Sequence, residues 1–236
     1  MKHAPPAPPA LGVHDGLAYA LFVPEEEPAG GVVILHGAGS AKESHFDFGR
    51  LCRERGLAAL AYDARGHGRS EGALGEGAVD DAVSICALMA EHAPAVALRG
   101  SSMGGLFAIH AAVANPGTAA VVAICPAPEE LLLRGLRSGS LTDFRVDRDG
   151  LERLLGSLDV FATVADLGPA TALMLLHARG DEQVPYTVSE ELAEAAREPK
   201  RLLVFPGGHH RSLQHDLEVQ NLSARFIERA LGARSS

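Results

Sequence analysis

Short apolar runs and longer amphipathic segments alternate along this chain. Leu17–Val23, Gly31–Leu35, Leu57–Tyr62, Ala95–Leu98, Ala119–Cys125, Ala172–His177 and Arg201–Phe205 are apolar runs of strand length. Between most of them, Glu43–Arg55, Val79–His92, Leu106–Ala114, Thr187–Arg197 and Ser212–Leu231 carry apolar residues at helical spacing. Strands alternating with helices predict an α/β fold: a mostly parallel central sheet with helices on both faces. In such sheets, ligands bind beyond the carboxyl ends of the strands.

One connection breaks the rhythm. Between Cys125 and the strand at Ala172 lie two helical patterns, Glu130–Arg137 and Gly150–Asp166, with a polar Gly/Ser/Asp stretch between them. A connection of that length is an inserted functional element rather than a bare loop. Residues 127–170 are therefore expected to form a small helical cap over the carboxyl ends of the strands. Leu131, Leu132, Leu133 and Leu136 fall on one side of its first helix, and Leu151, Leu154, Leu155 and Leu158 on one side of its second. These faces predict a mainly apolar pocket suited to short-to-medium chains. The proline-rich start, residues 1–10, reads as an extended, flexible arm. No linker divides the rest, so residues 1–236 are expected to be one domain.

Composition narrows the class. The chain has 236 residues, 47% of them hydrophobic, enough for a large core. Its formal net charge is -9 and it has no basic run, which argues against a nucleic-acid surface. No apolar stretch approaches the roughly 20 residues that cross a bilayer. The N-terminus lacks the apolar segment of a signal peptide, so a cytoplasmic location is expected. Three cysteines, Cys52, Cys86 and Cys125, form no C-x-x-C pair and read as buried, reduced thiols. His209, His210 and His215 have no clean ligand spacing and there is no H-E-x-x-H, so no metal is expected. The cap arginines Arg134, Arg137, Arg145, Arg148 and Arg153 are balanced by nearby acids and read as a mixed solvated surface.

The chemistry is concentrated at strand ends. Gly100-Ser101-Ser102-Met103-Gly104 reads G-x-S-x-G between an apolar run and an Ala-rich helical segment. At a sharp strand-to-helix turn, a serine is held in a strained conformation with its hydroxyl clear of the sheet. Glycines two before and two after leave room for strand and helix to approach. The helix start directs free N–H groups toward charge that develops beside the serine. Three more landmarks follow strand ends: His36-Gly37-Ala38-Gly39-Ser40, Asp63-Ala64-Arg65-Gly66-His67-Gly68, and His177-Ala178-Arg179-Gly180-Asp181. The last run leads into Pro206-Gly207-Gly208-His209-His210.

In this order, around G-x-S-x-G, the motifs resemble the α/β-hydrolase superfamily, from about Gly31 to the C-terminus. The resemblance extends to small serine esterases and to dienelactone-hydrolase-like and serine-aminopeptidase-like members. It implies a triad in the chain order Ser, acid, His, which Ser102, Asp181 and His210 satisfy. The family's Pro-Gly-x-x-His spacing places the base at His210, and a shorter spacing would place it at His209. Asp63 matches a structural position, and His36 and His67 read as loop-holding residues. A serine hydroxyl needs a base within hydrogen-bond reach, and the imidazole needs a carboxylate on its other nitrogen. The oxyanion then needs donors, expected from the N–H of Met103 and of Ala38. The expected function is hydrolysis of a carboxylic ester or related acyl bond of a small molecule through an acyl-enzyme, without a cofactor. A peptidase, thioesterase or acyltransferase using the same triad is the alternative, and a non-catalytic ligand-binding protein is the reading outside enzymes. The substrate and the oligomeric state are not encoded in these motifs.

Overall fold

A computed structural model describes residues 7–233 of the chain. Its centre is an eight-stranded sheet made by β1 (Ala10–His14), β2 (Leu17–Phe22), β3 (Gly31–Leu35), β4 (Ala58–Tyr62), β5 (Val96–Ser101), β6 (Thr118–Ile124), β7 (Ala172–Ala178) and β8 (Lys200–Phe205). The spatial order is β1-β2-β4-β3-β5-β6-β7-β8. β2 runs antiparallel to both β1 and β4, and every other pairing is parallel.

Successive side chains of the inner strands feed two separate apolar layers. On β3, Val33 and Leu35 join one layer and Val32 and Ile34 the other. The first face is covered by α2 (Ala78–Ala90), α3 (Met103–Ala114), α6 (Val160–Asp166) and α7 (Thr187–Ala195). The second is covered by α1 (Phe46–Glu54) and α9 (Leu217–Gly232), through Phe48, Cys52, Val219, Ala224, Ile227 and Leu231. Apolar residues on both sides of each strand are what a helix-covered parallel sheet requires.

Three sequence expectations are corrected. The segment read as the end of a flexible arm runs into β1, since Ala10 pairs with Leu21; residues 1–6 of that arm lie outside the described residues. The helix expected over Ser212–Leu231 is two, α8 (Ser212–His215) and α9, because extended Asp216 caps α9 with its carboxylate on the N–H groups of Glu218 and Val219. The helix expected over Gly150–Asp166 is likewise α5 (Arg148–Ser157) and α6, with Asp159 capping α6 through Ala162 N.

Between β6 and β7, α4 (Glu129–Ser138) and α5 pack on each other, while α6 packs on α3 and α7 in the sheet-covering layer. Leu132, Leu136, Leu151, Leu154 and Leu155 are buried in the same apolar layer as α2 and α3. The loop between α4 and α5 is stitched to the loop after β4. Leu74 pairs with Val146, and Arg145 donates to Ser70 O at 2.8 Å.

Candidate active site

The order of strands reverses about β3, whose neighbours are β4 on one side and β5 on the other. Crevices open at such points. Ser102 sits here, between the end of β5 and the start of α3, at φ 53° and ψ -120°. This is strained backbone for a residue with a side chain, and it persists because its surroundings dictate it. Ser102 N donates to Ile124 O at 2.9 Å, and Ser102 O accepts from Gly105 N, Leu106 N and Ala127 N. A side chain at Gly100 would collide with the Gly104 carbonyl, and one at Gly104 with the Leu35 carbonyl, so both glycines are required by contact. Met103 opens α3, where a helix leaves its N–H groups without intrahelical acceptors.

The loop after β3 passes against this turn: a Cβ on Gly37 would lie 3.3 Å from Ser102 Cβ. Two buried histidines shape it. His36 donates from Nδ1 to Gly37 O at 2.8 Å and accepts from Ala64 N on Nε2 at 3.0 Å. His67 donates from Nδ1 to Arg65 O at 3.1 Å and accepts from Gly39 N on Nε2 at 3.2 Å. Burial lowers the pKa of both, that of His67 to about 4, which favours the neutral rings these bonds need. Ala38 stands between the two anchored glycines, and it lines the cavity beside Ser102.

Asp181 follows β7 and faces the loop after β8. Its Oδ1 accepts from Gln183 N and Val184 N, each at 2.9 Å, and its Oδ2 accepts from His210 Nδ1 at 2.7 Å. Burial pushes this carboxyl up, but the hydrogen bonds from His177, His210 and the backbone outweigh it and hold the pKa well below the usual carboxylate range. His210 is buried, and its backbone N–H donates to Glu182 Oε2 at 3.2 Å. His209 is exposed and its Nδ1 accepts from Arg211 N at 3.3 Å, so the imidazole brought to Asp181 is that of His210. Ser102 and His210 both line one cavity of about 520 Å³. No Ser102–His210 hydrogen bond is formed among the described residues, an arrangement common where a base tightens onto its partner only with substrate bound.

A profile described as serine aminopeptidase, S33, matches residues 26–133. The soluble variant of monoglyceride lipase from Saccharomyces cerevisiae, in complex with a substrate analogue, superposes with a TM-score of 0.74 at 16% identity, covering 95% of each chain. Est1E from Butyrivibrio proteoclasticus, with ferulic acid bound, superposes at 0.72 and 20% identity, over 91% of this chain and 94% of its own. The chain has the α/β-hydrolase fold of these neighbours. Protein MT2364 of Mycobacterium tuberculosis is 30% identical over 76% of this hydrolase-fold chain. The chain spans only 62% of that relative's length, and 65% of the length of YfhR from Escherichia coli O157:H7.

In this hydrolase fold, Asp63 is far from idle. Burial raises its carboxyl, yet hydrogen bonds from Arg69 N, Lys42 Nζ (2.7 Å) and Lys42 N (2.8 Å) bring it below the usual range, and it braces the loop after β4. Four of the five cap arginines are engaged in structure: Arg137 pairs with Glu152 and Arg153 with Glu76, while Arg148 donates to Leu136 O and Arg145 to Ser70 O.

The cavity differs from the apolar pocket expected. Its lining is mixed: Leu131, Leu132, Leu141, Phe144, Ala127 and Val184 are apolar, but Ser40, Thr142, Asp143, Gln183, Arg211 and Gln214 are polar. The leucines of α5 turn into the core instead of the cavity. Sequence reading also missed Phe144, which stacks on His67 with centroids 3.8 Å apart, and the partners behind Asp181. Cys125 is one of these: at φ 45° it directs a buried thiol at Asp181, and burial raises its pKa strongly. The ligand atoms of Cys125, Asp181 and His210 lie within 4.8 Å of one another. The Asp181–His210 hydrogen bond and a thiol held protonated account for that closeness without an ion. His210 of the trio His209, His210 and His215 is thus engaged with Asp181, and His215 Nε2 with Gln214.

Proposed function

We propose that this chain is a serine hydrolase that cleaves a carboxylic ester through an acyl-enzyme, with Ser102 as nucleophile, His210 as base and Asp181 as the acid that orients it. The observation that carries the reading is the 2.7 Å bond from His210 Nδ1 to Asp181 on the same cavity as the strained Ser102 turn. That bond leaves Nε2 as the nitrogen free to take the serine proton. Ser102 attacks the carbonyl carbon as its proton passes to His210 Nε2. The oxyanion is received by the N–H groups of Met103 and Ala38, which lie on a helix start and an anchored loop and need no reorganisation. His210 then gives its proton to the departing alcohol, and water repeats the sequence to release the acid. Electrostatically, Asp181 stabilises the imidazolium formed at each step.

The mixed lining supports a particular ester: an apolar acyl chain against Leu131, Leu132, Leu141 and Phe144, with a polar alcohol portion toward Gln183, Arg211 and Gln214. The lipase and esterase-like neighbours are in keeping with this, while the S33 profile keeps peptide-bond cleavage as the competing reaction. The test is covalent labelling of the serine by a fluorophosphonate, followed by p-nitrophenyl esters of rising chain length run beside aminoacyl anilides. Labelling with ester turnover is the expected outcome. Faster turnover of anilides would move the assignment to a peptidase, and absence of labelling would leave a binding protein.

A further inference from the structure

Behind the acid lies a second serine–histidine pair. His177 is in β7 and Ser189 is in the first turn of α7, and both are fully buried. His177 Nε2 lies 3.0 Å from Val184 O and 3.3 Å from Asp181 Oδ2, and its Nδ1 lies 2.7 Å from Ser189 Oγ. A carbonyl and a carboxylate only accept, so the proton of the neutral ring sits on Nε2. Nδ1 is then the acceptor, and the Ser189 hydroxyl donates to it. The groups run Ser189, His177, Asp181, His210 toward Ser102. The carboxylate is held on Oδ1 by two backbone N–H groups and on Oδ2 between two imidazoles.

We infer that His177 is a positioning residue of the active site: its Nε2–H holds Asp181 Oδ2 in line with His210 Nδ1, and Ser189 keeps His177 in the tautomer that does so. This rests on the triad reading given above. Val184 O by itself would satisfy the His177 N–H, so a purely structural histidine has no need of the branch to Asp181. The remaining titratable and charged groups around Asp181 are the Cys125 thiol just after β6 and Glu182, with Arg211 beside His210 and Arg179 turned away over the Tyr186 ring at 4.6 Å. Among the described residues none of these, apart from the thiol, offers Asp181 Oδ2 a replacement donor. Each donor to a carboxylate lowers the basicity of its oxygens. Without His177 Nε2–H, Oδ2 becomes a more basic partner that favours the His210 imidazolium, and a less well-aimed one. The first effect moves the acid limb of activity to higher pH; the second lowers kcat. Neither His177 nor Ser189 lines the cavity, so KM is expected to stay near the wild-type value.

The experiment compares the full chain with His177→Leu, His177→Gln and Ser189→Ala. The readouts are kcat, KM and the pH dependence of kcat/KM on p-nitrophenyl butyrate, the fluorophosphonate labelling rate, and the tautomer of His177 by 15N NMR of histidine-labelled protein. His177→Leu is expected to lose about ten- to a hundred-fold in kcat through misalignment. Its acid limb should move up by about half a pH unit. His177→Gln keeps an amide N–H near the Nε2 position and should recover most of both effects. Ser189→Ala should move both in the same direction by less. The wild-type NMR spectrum should show His177 protonated on Nε2. A folded His177→Leu with wild-type kcat and pH profile overturns the inference, as does a His177→Gln variant no better than His177→Leu. If His177→Leu does not fold, a wild-type His177 protonated on Nδ1, or a folded Ser189→Ala with wild-type kcat and pH profile, overturns it instead. A wild-type chain that does not label at all refutes the triad reading, and a labelling wild type with unmoved variants refutes this inference alone.

Discussion

At the residue scale, the chemistry depends on which atom holds a proton. Ser102→Ala keeps the Cβ that already tolerates φ 53°, so it adds no backbone strain and should fold as the wild type does. It is expected to lose roughly a million-fold in turnover, as knockouts of one member of such a unit do. His210→Ala should match it, whereas His209→Ala, whose ring is exposed and bonded to Arg211 N, should remain within about three-fold of wild type, in the range of near-neutral surface changes. Steady-state assays of the three variants decide the register, and a reversal of the histidine phenotypes would move the base to His209. Asp181→Asn preserves size but puts an amide opposite His210 Nδ1, Gln183 N and Val184 N. A loss of roughly ten-thousand-fold in kcat is expected from the wrong imidazole tautomer, with kcat measured at saturating ester. Near-normal turnover in that variant would send the search to another acid.

At the element scale, the cap is part of the main core. Leu136, Leu151, Leu154 and Leu155 lie in the layer shared with α2 and α3, so excising the cap would uncover apolar surface and should prevent folding. Selection of substrate is better tested with single apolar side chains of the cavity lining. Leu141→Ala enlarges the cavity there and should shift the preferred p-nitrophenyl ester toward longer chains, changing the ratio of kcat/KM between long and short esters by roughly ten-fold. Labelling by a small fluorophosphonate should change far less, because Ser102 and its partners are untouched. An unaltered chain-length profile would show that this side chain does not select the acyl group. The same scale shows where the pattern of the chain was readable. Strands β2 to β7 fall on apolar runs, because a doubly covered strand must be apolar on both faces, and edge strand β8 falls on one although its residues are only partly buried. β1 was missed because it is an edge strand with Leu11 64% and Val13 65% exposed, which leaves no continuous apolar signal. Asp15-Gly16, both at positive φ between β1 and β2, was the available clue, since that dipeptide marks a tight hairpin turn.

At the scale of the whole molecule, burial of histidines sets the response to acid. His36, His45, His67 and His110 are buried, and desolvation lowers the pKa of each and of the more exposed His215, to about 4 for His67 and His110. The unfolded chain takes up these protons near 6.5, whereas the folded chain resists them until lower pH. Stability is therefore complete above about pH 6.5 and is lost as pH falls through the interval between the two values. Asp63 and Asp181 have lowered folded values and add a second loss as pH falls below their unfolded value of about 4. Scanning calorimetry should show Tm falling steadily from pH 7 to pH 5 and more steeply below pH 4. A Tm independent of pH from 7 to 5 would contradict the buried neutral histidines.

The sequence by itself determined the layered α/β architecture and the identity of the turn serine, because periodicity and glycine placement are local consequences of backbone geometry. It also ordered Ser102, Asp181 and His210 along the chain, as their motifs follow strand ends. Which of two adjacent histidines meets Asp181 was decided by the tertiary structure, since a one-residue difference in the loop after β8 turns one ring inward and the next to solvent. The polar part of the cavity lining was decided there too: Ser40, Gln183 and the pair Arg211 and Gln214 come from three separate stretches of chain that meet only when the sheet is assembled. So was the clamp of Cys125 and His177 on Asp181, built from adjacent strands β6 and β7 whose registry places Ile124 beside Leu176, one residue before each of them. Contacts of that kind depend on strand pairing, and no periodicity within a single segment can carry them.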